Sequence, residues 1–260
     1  MSNSFLKCQL VGLYTIVHKE TTRVMRIWVQ TIVPPAITMT LYFIIFGNLI
    51  GRRIGEMGGF DYMQFMAPGL IMMSVITNSY GNVVSSFFGA KFQGHLQEML
   101  VAPLSSWVII FGHVMGGVVR GLAVGAVVTV VALFFTDLQV QNPWIAFSIL
   151  LLTAIVFSMA GMVNAIFARK FDDVAIIPSF VLGPLTYLGG VFYTTSLLPE
   201  FWAGVSEFNP ILYMVNGFRY GMIGVSDISI ERAFAVILIF VVLFGATCSF
   251  LIRKGVGVRE

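Results

Sequence analysis

"FQGHLQEMLVAPLSSW", Phe92–Trp107, lies between two of the most apolar stretches of the chain. It is too polar to cross a bilayer and too short to be a domain. Leu96, Met99 and Leu100 recur at i, i+3 and i+4 and share one helical face, while Gln97 and Glu98 occupy another. Pro103 ends the helix, because the residue before a proline avoids helical geometry. Ser105 or Ser106 is then placed to cap the apolar run that follows. The stretch reads as a short helix held outside the membrane between two spans.

The rest of the chain supports that setting. Of 260 residues, 58% are apolar and 10% are charged, where a soluble domain carries about 25% charged residues. Mean hydropathy is +0.91. Several runs of about 20 residues lack charge, which a very apolar soluble fold does not explain. The expectation is an all-α polytopic membrane protein with six transmembrane helices, at about Ile27–Ile50, Tyr62–Phe88, Trp107–Phe135, Trp144–Ala168, Val174–Tyr193 and Arg232–Ile252. No cleavable-signal pattern precedes the first run.

An even span count puts both termini on one side. That side holds Lys7, Lys19, Arg23, Arg26, Lys91, Arg169, Lys170, Arg253, Lys254 and Arg259. The other holds Arg52, Arg53, Arg219 and Arg232, and Arg120 lies within a span. The basic majority marks the cytoplasmic side. Arg52 and Arg53 are a local exception, explained by nearby Glu56 and Asp61 or by a short first span. The chain divides into an N-terminal segment (1–26), five spans (27–193), an outer region (194–231), and a last span with its tail (232–260). The first segment interleaves Leu6, Leu10, Leu13, Ile16 and Val17 with His18, Lys19, Arg23 and Arg26. It reads as an interfacial helix among lipid headgroups, or as a charged lead-in to the first span. In the outer region Pro199 opens a short helix, and Asn209-Pro210 breaks and restarts the chain. The run Ile211–Ile223, interrupted by Asn216, Gly217 and Arg219, is short for a span. It suits a re-entrant helix; the alternative is a seventh span, against which the basic tail argues.

Polar residues inside the spans are the candidates for function. Ser74, Thr77, Asn78, Gly81, Asn82 and Ser85 recur at intervals of three or four. Such a face packs against other helices or lines a pathway. In the third span Gly112 and Gly116 form one four-spaced series, and Gly117, Gly121 and Gly125 another, which points to close helix packing. Arg120, near mid-membrane, needs an acceptor: carbonyls, water or an anionic substrate. Pro178, Gly183, Pro184, Gly189 and Gly190 break the fifth span into a hinge or a static kink. Asp172 and Asp173 suit the start of that span.

There is no phosphate-cradling G-x-x-x-x-G-K-[ST] loop. The histidines His18, His95 and His113 are scattered, the cysteines Cys8 and Cys248 lie far apart, and no serine sits in a nucleophile elbow. The basic residues are dispersed, so nucleic acid is not an expected partner. The chain shows no catalytic set of its own.

"EMLVAPLSSWVIIFG", Glu98–Gly112, resembles the acidic-Leu-x-x-Pro-Leu-Ser stretch of the type-2 ABC transporter permeases. "YLGGVFYTTSLLPEFW", Tyr187–Trp202, followed by "FNPILYMVNGFRYG", Phe208–Gly221, is similar to that family's second motif. The lead into the first motif departs from the family's arginine-rich pattern, with Lys91, Gln93 and His95 in its place. The resemblance implies a homodimeric exporter permease in the cytoplasmic (inner) membrane, driven by a separate ABC ATP-binding subunit. ATP and magnesium would then bind that subunit, and this chain would bind no cofactor. The helix with Leu96, Gln97, Glu98, Met99, Leu100 and Pro103 becomes the coupling helix, and the N-terminal segment the connecting helix. The outer helices at Pro199, Asn209, Pro210 and Arg219 become a re-entrant gate, with Ser74, Asn78, Asn82, Ser85 and Arg120 as candidate pathway residues. The alternative is an ion-coupled secondary transporter.

Overall fold

The structure is a computed structural model that describes residues 2–257, with 2–4, 48 and 52 described by backbone alone. Arg259 and the side chain of Arg52, both used in the orientation count, lie outside the described residues. The chain is almost wholly helical. It opens with α1 (Ser2–Arg26) and α2 (Trp28–Tyr42), which continues through the wide i→i+5 turns of Phe43–Gly51 into α3 (Arg52–Ile54). A minimal hairpin follows, β1 (Glu56–Met57) and β2 (Phe60–Asp61), with Gly58 and Gly59 supplying the positive φ its two-residue turn requires. Then come α4 (Tyr62–Phe92), α5 (His95–Val101), α6 (Ser106–Leu133) and α7 (Pro143–Phe167). The fifth apolar run is broken into α8 (Phe171–Ile177), a wide turn at Pro178–Leu182, and α9 (Gly183–Tyr187). Finally α10 (Glu200–Glu207), α11 (Pro210–Ile223) and α12 (Ile230–Lys254) close the chain.

Among the described residues, four helical stretches are long and apolar enough to cross a membrane: Trp28–Gly51, Ser106–Leu133, Pro143–Phe167 and Ile230–Lys254. α4 is longer, 31 residues or about 46 Å, but its polar stripe lowers its hydropathy. It is the most enclosed of the long helices, packed between α6 and α7 and touched by α11. α12 instead presents Leu238, Ile239, Val242, Leu243 and Phe250 outward, as a lipid-facing helix does.

The two glycine series of α6 face different neighbours, the first mainly α1 and the second mainly α4. Gly112 and Gly116 receive Ile16 and Glu20 of α1. Gly117 lies against Ser158 of α7 and Val83 of α4, Gly121 receives Ser79 of α4, and Gly125 receives Val75 of α4. Bare ridges let both helices approach closely. α1 therefore rises alongside α6, with Gly12 against Leu104, Ile16 against Gly112 and Glu20 against Gly116. The expected helix is present, and Phe5, Leu6, Leu10, Val11 and Tyr14 are exposed along it. Arg23, expected among headgroups, is instead turned into the protein.

Local chemistry sets the helix ends. Asp61 accepts the Met63 amide at 3.1 Å and caps α4. Asp173 accepts the amides of Arg169 and Lys170 at 2.9 and 3.1 Å. These two donors hold its carboxyl below the usual carboxylate range. Neither Ser105 nor Ser106 caps α6 through its side chain. The amide of Ser105 is taken at 2.8 Å by Gln9 Oε1, and Gln9 Nε2 donates to the Pro103 carbonyl at 2.6 Å. A residue of α1 thus does the work expected of the serines. Lys91 Nζ donates to the carbonyls of Ile166 and Ala168 at 2.7 and 2.8 Å, fastening the end of α4 to the negative end of the α7 dipole. One end of the bundle therefore gathers α5, Gln9, Lys91 and the close of α7; the other carries the hairpin, α10 and the close of α11.

α11 runs antiparallel to α7. Pro210 and Ile211 share a cavity wall with Phe157 and Ala160, Gly217 meets Ile149, and Gly221 meets Ala146. The amides of Gln141 and Asn142 then donate to Met222 and Gly221 carbonyls. A Cβ at Gly221 would lie 2.6 Å from the Ala146 backbone nitrogen, where no flexible side chain can yield. Gly221→Val is expected to cost about 1–3 kcal/mol of stability, read as a lowered thermal midpoint of the purified chain. An unchanged midpoint would show that the two helices are not pressed together there.

Candidate functional site

Three clusters carry the polar chemistry. The first is the surface of α5. Gly94, at φ 80°, lets the chain turn sharply out of α4. Leu96 is buried, and Met99 and Leu100 are half-buried against the bundle. Gln97, Glu98 and Pro103 face outward, and Val101 is 88% exposed. His95 Nδ1 stands 4.0 Å from Glu98 Oε2 with both side chains solvated, so this pair adds little stability. The result is a rigidly seated ridge with a free polar and apolar crest. Gln9 clamps its exit and Lys91 its entry.

The second cluster lies where α1, α4 and α6 meet. Glu20 is fully buried. Its Oε1 accepts the Ser86 hydroxyl at 2.6 Å, and its Oε2 accepts Arg23 Nη2 at 3.2 Å. Arg23 Nη2 also donates to the Asn82 carbonyl at 3.2 Å and to Asn82 Oδ1 at 2.8 Å. Burial works against ionisation of Glu20, but His113, the Ser86 hydroxyl, Arg23 and Lys19 together outweigh it and hold the carboxyl below its usual range. His113 is wholly buried, with Nδ1 on the Ile109 carbonyl at 2.9 Å and its ring edge-on to Phe87. Its Nε2, the Asn82 amide nitrogen and Arg120 Nε are buried with no hydrogen-bond partner. Arg120 thus reaches none of the carbonyl acceptors expected for it through that atom.

Sequence reading missed Gln9 and Glu20. Gln9, Gly12, Ile16, Glu20 and Arg23 are spaced by three or four residues and so share a face. A lone acid on that face of an otherwise basic segment was the available signal.

The polar stripe of α4 does not act as one surface. Ser74 and Asn82 are buried, Thr77 and Ser85 are exposed, and Asn78 lies between. Most of its donors return to the helix itself. Ser74 donates to Leu70 O at 3.0 Å, Asn78 to Ser74 O at 3.0 Å, Ser85 to Asn82 O at 3.0 Å, and Thr77 to Met73 O. Among these residues Asn82 ties α4 to another helix, by accepting from Arg23 of α1.

The third cluster centres on Arg219 of α11, which is fully buried. Its Nη2 donates to Gly190 O at 2.6 Å, its Nε to Phe65 O at 3.2 Å, and its Nη1 to Asn216 Oδ1 at 3.4 Å. The guanidinium lies 3.9 Å from the centre of the Phe65 ring. Asn216 Oδ1 also accepts the Asp227 amide at 3.0 Å. The arginine counted on the outer surface is therefore an internal staple joining α4, the Gly190 turn and the Asp227 loop. Pro199 precedes α10, and Asn209 caps α11 by accepting the Ile211 amide at 3.0 Å while donating to Leu185 O at 2.6 Å. Among the described residues no group of three His, Cys, Asp or Glu side chains is placed to hold a metal ion.

Residues 12–223 match the family described as ABC-2 type transporter. The chain belongs to the ABC-2 type transporter family. It is 59% identical, over 251 residues covering 96% of this chain and 98% of the relative, to the inner membrane transport permease YadH of Escherichia coli strain K12. It is 23% identical to nodulation protein J of Rhizobium leguminosarum bv. trifolii over 215 residues, 82% of each chain. As an ABC-2 chain it is the membrane subunit of an ABC transporter, and the family implies an ABC ATP-binding partner. The ABC-2 match begins at Gly12, inside α1, and ends at Ile223, the last residue of α11, so it takes in α5, the Glu20 junction and Arg219, with Gln9 and Asp227 just outside it.

Proposed function

We propose that this chain is the permease of an ATP-driven exporter that moves a hydrophobic or amphipathic substrate out of the cytoplasm or inner leaflet. The observation that carries the reading is the α5 crest: Gln97, Glu98 and Val101 stand free on a helix whose two attachments are clamped to α1 and α7. A push on such a crest is delivered to α4, α6 and α1 together. A separate ATP-binding subunit docks there and carries ATP and magnesium, and this chain binds neither. The chain lies in the inner membrane with six spans, α4 and the broken α8–α9 completing the four more apolar ones, and both termini are cytoplasmic. Two copies pair, and the exposed side of α4 with Thr77, Asn78, Gly81 and Ser85 faces the pathway between them. α10 and α11 descend and return as a re-entrant pair at the outer exit, with Arg219 holding the pair in place and Pro199, Asn209 and Pro210 shaping its bends.

The buried Glu20 and His113 are what an ion-coupled secondary transporter would use. Family membership and the engagement of Glu20 by Arg23 and Ser86 weigh against that reading.

The test is co-purification with the ATP-binding subunit and assay of its hydrolysis in proteoliposomes. Glu98→Arg and Val101→Asp are each expected to weaken the complex by about 10-fold or more, as central interface residues do, without lowering thermal stability. Unchanged association and ATPase stimulation in both variants would remove α5 as the docking site. Transport that continues without the ATP-binding subunit would favour the ion-coupled reading.

A further inference from the structure

At the α5 end of the bundle, the outer face of α12 and Trp107 at the start of α6 border an open groove of about 640 Å³. Its wall on α12 is Val241, Val242, Gly245, Ala246, Ser249 and Phe250, and Trp107 stands at the start of α6 on the other side. Arg253 and Lys254 form its end. From Val242 to Lys254 the groove runs about 18 Å at 1.5 Å per residue, a little more than the ~15 Å of hydrocarbon in one leaflet. The groove is therefore about as long as a leaflet is thick, apolar along that length apart from Ser249, and cationic at its end.

Charge complementarity names the occupant. Arg253 and Lys254 are exposed, and among the described residues neither forms an ion pair. A zwitterionic headgroup would bring its own cation against them; an anionic headgroup would not. Basic pockets between spans at the cytoplasmic surface recognise anionic lipid headgroups, and a half-exposed tryptophan belongs at that same level. In a bilayer the exposed faces of Val242, Ala246 and Phe250 are met by acyl chains in any case.

We propose that this groove is a specific site for one anionic glycerophospholipid, with its phosphate on Arg253 and Lys254 and an acyl chain along Gly245 and Ala246. The lipid bridges α6 and α12, two helices that otherwise touch sparingly. Which leaflet it comes from rests on the proposed orientation; the seat itself does not, and neither depends on the ATP-binding subunit.

The full chain alone, in mild detergent, is titrated with phosphatidylglycerol or phosphatidylcholine and bound lipid is counted by native mass spectrometry. The wild type is expected to take up one phosphatidylglycerol at least five-fold more readily than phosphatidylcholine. Arg253→Ala with Lys254→Ala should erase that preference. Ala246→Trp, which fills the recess and keeps both cations, should lower retention of either lipid. Arg169→Ala with Lys170→Ala, at the same end of the bundle but away from the groove, should change nothing. Glycerol 3-phosphate at millimolar concentration should not displace the lipid, because it has no chain for the groove. Equal uptake of both lipids by the wild type overturns the proposal. So does undiminished preference in the Arg253/Lys254 variant, an equal loss in the Arg169/Lys170 variant, or displacement by the chain-free phosphate.

Discussion

Arg219→Met is expected to destabilise the chain by about 2–4 kcal/mol, since each buried polar group stripped of its partner costs about 1–3 kcal/mol. The substitution leaves Gly190 O without its 2.6 Å donor and takes one donor from Asn216. Phe65 O loses a second partner, and the ring of Phe65 loses the cation over it. The loss is partly offset, because the desolvated cation goes as well. Arg219→Lys separates the two effects. Lysine keeps the buried charge but lacks the planar fork that reaches three acceptors from one group. It should therefore be at least as damaging as methionine, although it looks the milder change. Thermal melting of the purified variants in detergent is the measurement. A lysine variant as stable as the wild type would show that charge, and not the fork, holds α11 in place.

Glu20→Ala is the second large effect. It removes the partner of Arg23 and leaves Ser86 without its acceptor. Removing one member of a buried ion pair costs about 3–5 kcal/mol. Arg23 retains 29% side-chain exposure and both Asn82 oxygens, so a loss below that range, about 2–3 kcal/mol, is expected. The double variant Glu20→Ala with Arg23→Ala should recover part of the loss, and the cycle of four proteins isolates the pair. The pH dependence has a definite sign. The folded-state pKa of Glu20 is depressed from 4.5, so its stabilisation is present above that value and is lost as pH falls through the folded pKa. Wild-type stability should thus fall more steeply on acidification than that of Glu20→Ala. Equal acid slopes for the two would show that Glu20 is not held as a carboxylate at this junction.

Much of the architecture was legible because local chemistry writes it. Pro178 and Gly183 bracket the widened turn of the fifth run, Asn209-Pro210 restarts the chain as α11, and Pro103 lies just beyond the end of α5. The i, i+3, i+4 pattern of Leu96, Met99 and Leu100 grouped them on one face of α5, and that face is the one turned toward the bundle, with Gln97 and Glu98 exposed on the other. The same reasoning failed inside the bilayer. The stripe Ser74 to Ser85 was read as one surface, yet it is divided between core and exterior. The two glycine series were recognised, but nothing in their spacing said that one receives α1 and the other α4.

The sequence by itself determined that the chain is a helical membrane protein, where its helices break, that it carries no phosphate-binding loop, and which family its two motifs resemble. These depend on composition and on neighbours along the chain. Only the tertiary structure decided that Gln9 and not a serine serves the start of α6, that Glu20 and Arg23 bind α1 to α4, and that Arg219 is an internal staple. In water, burial sorts polar from apolar faces and periodicity reveals the result. In lipid both the protein-facing and the membrane-facing sides of a helix are apolar. Spacing then shows which residues share a face, but which face turns inward is settled by the partner that satisfies each buried charge.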